Sequence, residues 1–124
     1  MYAQWYDTGI ITTATGGAGT GYTPIATGRV LAVRYVKTDF TDGVDVTVTV
    51  ERTGEAIVTL TDLNAAAVYY PRVATHDVAG AVAVYIASGQ AVREPVFIAD
   101  DRVKVAIAAG GDAHTGRFYA LIGG

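Results

Sequence analysis

Residues 44–51 alternate strictly between valine and a polar side chain, and this pattern constrains the fold more than any other feature of the chain. Successive side chains of a strand point to opposite faces, so the pattern predicts a strand with one face on a core and one toward water. A slip of one residue would bury the acidic side chains, which is costly, so the register is well specified. The residues predicted to point inward are Val44, Val46, Val48 and Val50, and those predicted to point outward are Asp45, Thr47, Thr49 and Glu51.

Turn residues flank this strand, with Asp42-Gly43 before it and Thr53-Gly54 after it, and residues 55–61 are predicted to return as the second strand of a hairpin. Helical periodicity is nearly absent elsewhere, and the further predicted strands are residues 10–13, 29–37, 81–87, 102–107 and 117–122. Within these strands, one set of residues is predicted to share a face, namely Val82, Val84 and Ile86. A second set is predicted to point inward, namely Val103, Val105 and Ile107, with Arg102 and Lys104 outward.

Two segments depart from the pattern. Residues 15–21 contain only Thr, Gly and Ala, which predicts a flexible loop or a segment ordered only by contact, with the flexible loop preferred. Residues 64–67 predict one short helical turn before Pro71. The chain as a whole is predicted to be all-β: a single antiparallel β-sandwich or jelly roll over residues 1–124, for which a small barrel is also compatible with the pattern. Residues 1–8 are a candidate N-terminal arm.

Composition narrows the function classes. The formal net charge is −3 and the nine Lys and Arg residues form no run, so no nucleic-acid partner is expected. There is no cysteine, which excludes a disulfide framework and a thiolate metal site. The first residues lack the basic and apolar regions of a signal peptide, and the longest apolar run, residues 78–87, is about half a membrane span. We therefore expect no membrane partner and synthesis in the cytoplasm.

Catalytic chemistry has little support, and we predict no enzyme, no catalytic residue and no cofactor. Ser88 is the one serine and lacks the nucleophile-elbow pattern, and His76 and His114 each lie in a polar loop near an acid, Asp77 and Asp112 respectively. The Gly-rich residues 16–21 do not lead into a helix, as a phosphate-binding loop would require.

Metal binding has one candidate in Asp39, Asp42 and Asp45, which surround Gly43. Their spacing does not match a calcium loop, and turn chemistry accounts for Asp42-Gly43, so no metal site is predicted. Asp100, Asp101 and Arg102 are predicted to form a solvated charged turn.

Aromatic residues cluster at the N-terminus and again before Pro71. Tyr, Trp and Arg are enriched at protein interfaces because they combine a large contact area with a polar group. The predicted interface residues are Tyr2, Trp5, Tyr6, Tyr69, Tyr70 and Arg72. An equally weighted alternative is that both clusters cap the two ends of the domain's own core.

The chain resembles a family of small virion proteins of tailed bacteriophages that decorate or cement the head. The matching phrases lie within residues 22–124 and are Gly28-Arg29-Val30-Leu31, Tyr35-Val36, Asp42-Gly43-Val44-Asp45, Thr53-Gly54, Tyr70-Pro71-Arg72, Asp101-Arg102-Val103-Lys104-Val105, Gly110-Gly111-Asp112 and Thr115-Gly116. The resemblance implies a virion protein on the capsid exterior that binds the major capsid protein and forms a homo-oligomer, with a trimer favoured. The alternatives are a carbohydrate- or host-binding β-sandwich and a head–tail connector or tail subunit, with a small hydrolase the weakest.

Overall fold

The computed structural model describes residues 2–85 and 89–124, and in these residues the chain is all-β with no helix. The strands are β1 (Ala3–Thr12), β2 (Gly19–Tyr22), β3 (Ala26–Lys37), β4 (Val44–Val50), β5 (Ala56–Leu63), β6 (Ala67–Tyr69), β7 (Val73–Ala74), β8 (Arg93–Glu94), β9 (Val96–Asp101), β10 (Val103–Ala108) and β11 (Thr115–Gly123). All their pairings are antiparallel, and the buried faces of a five-stranded and a four-stranded sheet contribute to one core. The predicted antiparallel β-sandwich is confirmed.

The four-stranded sheet has the order β2-β10-β4-β5. The alternation that predicted its central strand is confirmed: Val48 is 0% exposed and the other valines of β4 are buried beside it, whereas Asp45 and Thr47 are exposed. Val103, Val105 and Ile107 of β10 point to the same core, as predicted.

The five-stranded sheet has the order β1-β11-β3, and the far edge of β3 is shared by β6 and β9. Its inner face carries the largest buried side chains. The Tyr35 ring stacks on Phe118 with 4.9 Å between ring centroids and lies 6.3 Å from the Phe40 ring. Valine is the most frequent residue of the core, and these three rings are its largest fully buried side chains.

Two local predictions were wrong. Residues 19–21 belong to strand β2, where Gly21 lies so close to Ile11 that a Cβ atom would be 2.5 Å from its side chain. The predicted helical turn at residues 64–67 is a bend leading into β6, because the Asn64 side chain accepts a hydrogen bond from the Gly43 amide and Ala67 pairs with Tyr35. Loop closure and sheet pairing override local helix propensity here.

The N-terminal residues belong to the sheet. Strand β1 begins at Ala3, well before the predicted start at residue 10, and pairs with β11 from Ala3 opposite Gly123 to Thr12 opposite Thr115. The candidate arm, residues 1–8, therefore lies in an edge strand over its described part, and an arm-like role toward other chains stays a prediction.

Candidate interaction surfaces

A projection, which we call the knob (described residues 73–85 and 89–94), lies between β6 and β9 in the chain. Its base is the β7–β8 pair, Val73 opposite Glu94 and Ala74 opposite Arg93. Two further antiparallel bridges, His76 to Val82 and Val84 to Ala91, connect a middle segment to both sides.

Backbone hydrogen bonds close the knob in a ring. The Thr75 amide donates to the Val92 carbonyl (2.8 Å), the Val92 amide to the Ala83 carbonyl (2.9 Å), and the Ala83 amide to the Thr75 carbonyl (2.7 Å). Each of the three segments therefore pairs with both others. The Asp77 carboxylate orders the first turn by accepting hydrogen bonds from the amides of Ala79 and Ala81.

Several apolar side chains of the knob are exposed, whereas Val73 at its base packs against the core of the domain. Val78 is fully exposed and Tyr85 is 73% exposed. Val82 and Val84, which were predicted to share a face with Ile86, are both exposed, and Ile86 lies outside the described residues. A segment this small has no core of its own in which to bury them. No charged residue occurs between Asp77 and Arg93, and that run is the sequence signal that could have marked this surface.

A second surface is the outer face of the five-stranded sheet, where cross-strand neighbours are mainly aromatic, arginine or aliphatic. In one row of neighbours across the strands, Trp5 of β1 lies opposite Leu121 of β11. In the next row, Asp7 of β1 lies opposite Tyr119 of β11, and the row continues through Arg34 of β3 to Val68 of β6. Trp5 is 45% exposed.

Charged groups on this face are partly neutralised by their neighbours. The Arg117 Nε atom lies 3.1 Å from Asp7 Oδ1, in an ion pair without the alignment of a hydrogen bond. The guanidinium groups of Arg34 and Arg117 lie 5.6 and 6.0 Å from the centroid of the Tyr119 ring. Aromatic rings flanked by arginine are typical of protein interfaces.

The predicted interface residues separate into two groups. Tyr6 and Tyr69 are half-buried and pack against the core, as the core-cap alternative would have it, whereas Tyr2 and Tyr70 are exposed together with Trp5. Arg72 is exposed, but its guanidinium donates to the carbonyls of Leu31 (3.0 Å) and Pro71 (2.7 Å) and so anchors the chain entering the knob. The two clusters are not brought together, because β1 and β6 lie at opposite edges of the same sheet.

The three aspartates of the candidate calcium site have separate protein partners. Asp39 accepts hydrogen bonds from the amide and hydroxyl of Thr115, Asp42 pairs with Lys37, and Asp45 accepts from the Asp62 amide. Among residues 2–85 and 89–124, no group of three His, Cys, Asp or Glu side chains is arranged to hold a metal ion. The hydrogen bond from the Thr115 amide, followed by that from its hydroxyl, lowers the pKa of Asp39 below its usual value.

A polar cluster at the end of the four-stranded sheet was not predicted. Arg102 makes two hydrogen bonds to the Glu51 carboxylate (2.9 and 2.7 Å) and its guanidinium lies 4.0 Å from the centroid of the Tyr22 ring. The hydrogen bonds from Arg102 lower the pKa of Glu51. Asp101 is buried and accepts hydrogen bonds from the amides of Arg52 and Arg102, so the prediction of a solvated turn was wrong at this residue.

An open depression of about 620 Å³ is lined, within the described part of the chain, by Tyr85, Gln90, Ala91 and Arg93 at one side of the knob. An exposed ring beside an amide and a guanidinium is a combination that can bind a small polar ligand.

Comparison with protein-family models, with curated proteins and with solved structures finds no match. Within the described residues no helix is long and apolar enough to cross a membrane.

Proposed function

We propose that this protein is a structural assembly module, and that it decorates the exterior of a tailed-bacteriophage capsid by binding the lattice of the major capsid protein. The observation that carries the proposal is the placement of its large apolar side chains. Several that could have enlarged a valine-built core are exposed instead, on the knob and along the β1 edge. Exposed apolar surface of this kind is typical of protein–protein contacts.

The chemistry of the outer face of the five-stranded sheet, together with Tyr70 just after β6, supports a protein target. Trp5, Tyr70 and Tyr119 supply the aromatic contact area. Arg34 and Arg117 supply charged groups, and the aromatic and acidic side chains beside them lower the free-energy cost of removing water from those charges on binding. The net charge of −3 suits a protein on the outside of a DNA-filled shell. The resemblance to head decoration proteins is the reason for proposing the major capsid protein as that target.

The test is co-sedimentation of the purified protein with capsid shells of the phage whose genome encodes it. We expect binding by the wild type, and at least about tenfold weaker binding by Trp5→Ala or Tyr70→Ala, with melting temperatures close to that of the wild type. Thr59→Ala is the matched control, because Thr59 is exposed on the outer face of the other sheet. A wild type that stays in the supernatant would contradict the capsid role, and unweakened binding by both variants would contradict the assigned surface.

The depression beside Tyr85 favours a second candidate, a carbohydrate-binding module. An exposed ring can stack on a sugar while Gln90 and Arg93 donate hydrogen bonds to its hydroxyl groups. Retention of the wild type on a glycan column, abolished by Tyr85→Ala, together with no binding to capsid shells, would favour this function over the first.

A further inference from the structure

Strand β1 consists of two halves that the rest of the fold holds differently. In the first half, residues 3–7, the side chains are exposed or half-buried, and Tyr6 is the one that packs against the core. In the second half, Ile11 is 2% exposed and lies against Gly21 of β2. The first half pairs with β11 along one side, and within the described chain no strand pairs with its other side. It can therefore leave the sheet without withdrawing a fully buried side chain from the core.

A bulge separates the two halves and has the properties of a hinge. Thr8 and Gly9 have no partner residue in β11. The Phe118 amide donates to Thr8 Oγ1 (3.2 Å) and the Gly9 amide donates to Asp7 Oδ1 (2.7 Å), so side chains replace the backbone ladder here. Gly9 has φ 74°, and apart from its chain neighbours no atom lies within 4 Å of the position that a Cβ atom would take. The left-handed turn therefore requires glycine at this position and packing does not, and rotation of Gly9 to an extended conformation would straighten β1.

We propose that two copies of this protein exchange residues 2–7, so that the first half of β1 in each copy pairs with β11 of the other copy. A second copy fits this edge because it carries the identical strand. The register of residues 3–7 on β11 forms again between the chains, and so does the ion pair of Asp7 with Arg117. Each copy that releases its own strand opens a place on β11 that the other copy fills, so two copies close on each other and leave no edge for a third. The inference goes beyond the proposed function, since it concerns self-association and requires no capsid.

Ile10 provides a contact that the monomer lacks. It follows the hinge directly and is 67% exposed. In the exchanged dimer the two straightened hinges pass each other at the two-fold axis, so the two Ile10 side chains meet there and are removed from water. This burial offsets part of the entropy lost on association. Because residues 2–7 must leave one sheet before they enter another, the dimer forms and dissociates slowly.

The first test changes the hinge with a matched pair of substitutions. Gly54, in the turn between β4 and β5, also has φ 74° and open space around its Cβ position. A side chain in the left-handed conformation favours the extended form about fivefold or more at each hinge, and the dimer contains two hinges. We expect Gly9→Val to raise the association constant at least about 25-fold over the wild type, and Gly54→Val to lower the melting temperature without forming more dimer. Size-exclusion chromatography after long incubation of the concentrated protein, followed by sedimentation velocity of the separated fractions, measures both.

The second test identifies the chains to which the paired strands belong. The sequence has no cysteine, so an introduced pair forms the only disulfide. Trp5→Cys with Leu121→Cys joins β1 to β11, and the control, Thr47→Cys with Thr59→Cys, joins β4 to β5, in each case at residues that lie opposite each other. After oxidation of the isolated dimer, we expect a covalent dimer on a denaturing gel for the first pair and single chains with an internal disulfide for the control. In the isolated monomer both pairs should give internal disulfides, which verifies that both can form.

An internal β1–β11 disulfide in the dimer fraction would overturn the proposal, because each chain would then have kept its own strand. So would a wild type and a Gly9→Val variant that both remain monomeric. An equal gain of dimer for Gly54→Val, or a continuous series of larger species in place of a dimer, would also contradict it.

Discussion

Strand β4 and the middle segment of the knob carry the same valine alternation and have opposite environments. In β4, Val46 is 1% exposed and its neighbours in the pattern are equally buried. In the knob, Val82 is 47% exposed and Val84 is 41% exposed, although both belong to antiparallel bridges. The comparison teaches that alternation predicts extended backbone with an apolar face, but does not identify what covers that face.

The intervening residues account for the difference. Between the valines of β4 stand Asp45, Thr47 and Thr49, which prefer water and so fix the direction of the apolar face. Between the valines of the knob stands Ala83, and Ala81 precedes them, so neither face is specified by a polar side chain. Register there is set by the ring of backbone hydrogen bonds.

The largest contrast in the free energy of unfolding should come from placing a carboxylate in β4 and in the middle segment of the knob. Val48→Asp would bury an unpaired charge among apolar side chains, and we expect a loss of roughly 3 kcal/mol or more, enough to unfold a marginally stable domain. Val82→Asp should change the free energy of unfolding by less than about 0.5 kcal/mol, because its carboxylate remains hydrated. Urea unfolding of both variants measures this. A knob variant as unstable as the core variant would show that the knob is part of the cooperative core.

A smaller contrast is expected at two glycines in left-handed conformations. Gly28 in β3 has φ 142°, and a Cβ atom there would lie 2.7 Å from the Gly123 carbonyl oxygen, so Gly28→Ala must displace backbone at the β3–β11 junction. Gly80 in the knob has φ 85° with open space around it. We expect Gly28→Ala to cost about 2 kcal/mol or more and Gly80→Ala about 1 kcal/mol. Equal losses from the two substitutions, measured by urea unfolding, would contradict the steric argument.

The smallest effect concerns pH. The Asp39 carboxylate has a lowered pKa in the folded protein, so the stability it contributes is present in full above its unfolded value of about 4 and is lost as pH falls through the lowered folded value. Asp39→Asn should therefore lower the melting temperature at neutral pH, and the gap to the wild type should narrow as the solution is acidified below about pH 4. Glu51 is present in both proteins, so the difference isolates Asp39. A difference in melting temperature between the two proteins that is constant across this pH range would contradict the link between ionisation of Asp39 and stability.

The sequence predicted the parts of the fold in which polar and apolar residues alternate, such as β4 and β10. It did not predict β2, because glycine and threonine carry no periodicity and Gly21 is required by its approach to Ile11. For the interaction surfaces, the aromatic clusters were identified, but the burial of Tyr6 and Tyr69 depends on which face of β1 and β6 turns inward. The outer row of Asp7, Tyr119 and Arg34 could not be predicted, since it joins residues far apart in sequence through the register of three strands.

The position of β11 in the five-stranded sheet has a consequence for how the protein folds. It lies between β1 and β3 and pairs with both, yet it follows every other strand in sequence. The two longest strands of that sheet, β1 and β3, thus lack their shared partner until β11 has been synthesised. Pairings between residues so distant in sequence slow folding, because the intervening loop must close before any contact stabilises it. During that interval β1, whose one charged residue is Asp7, stays unpaired, so temperature and chaperone supply during expression should affect the yield of soluble protein strongly.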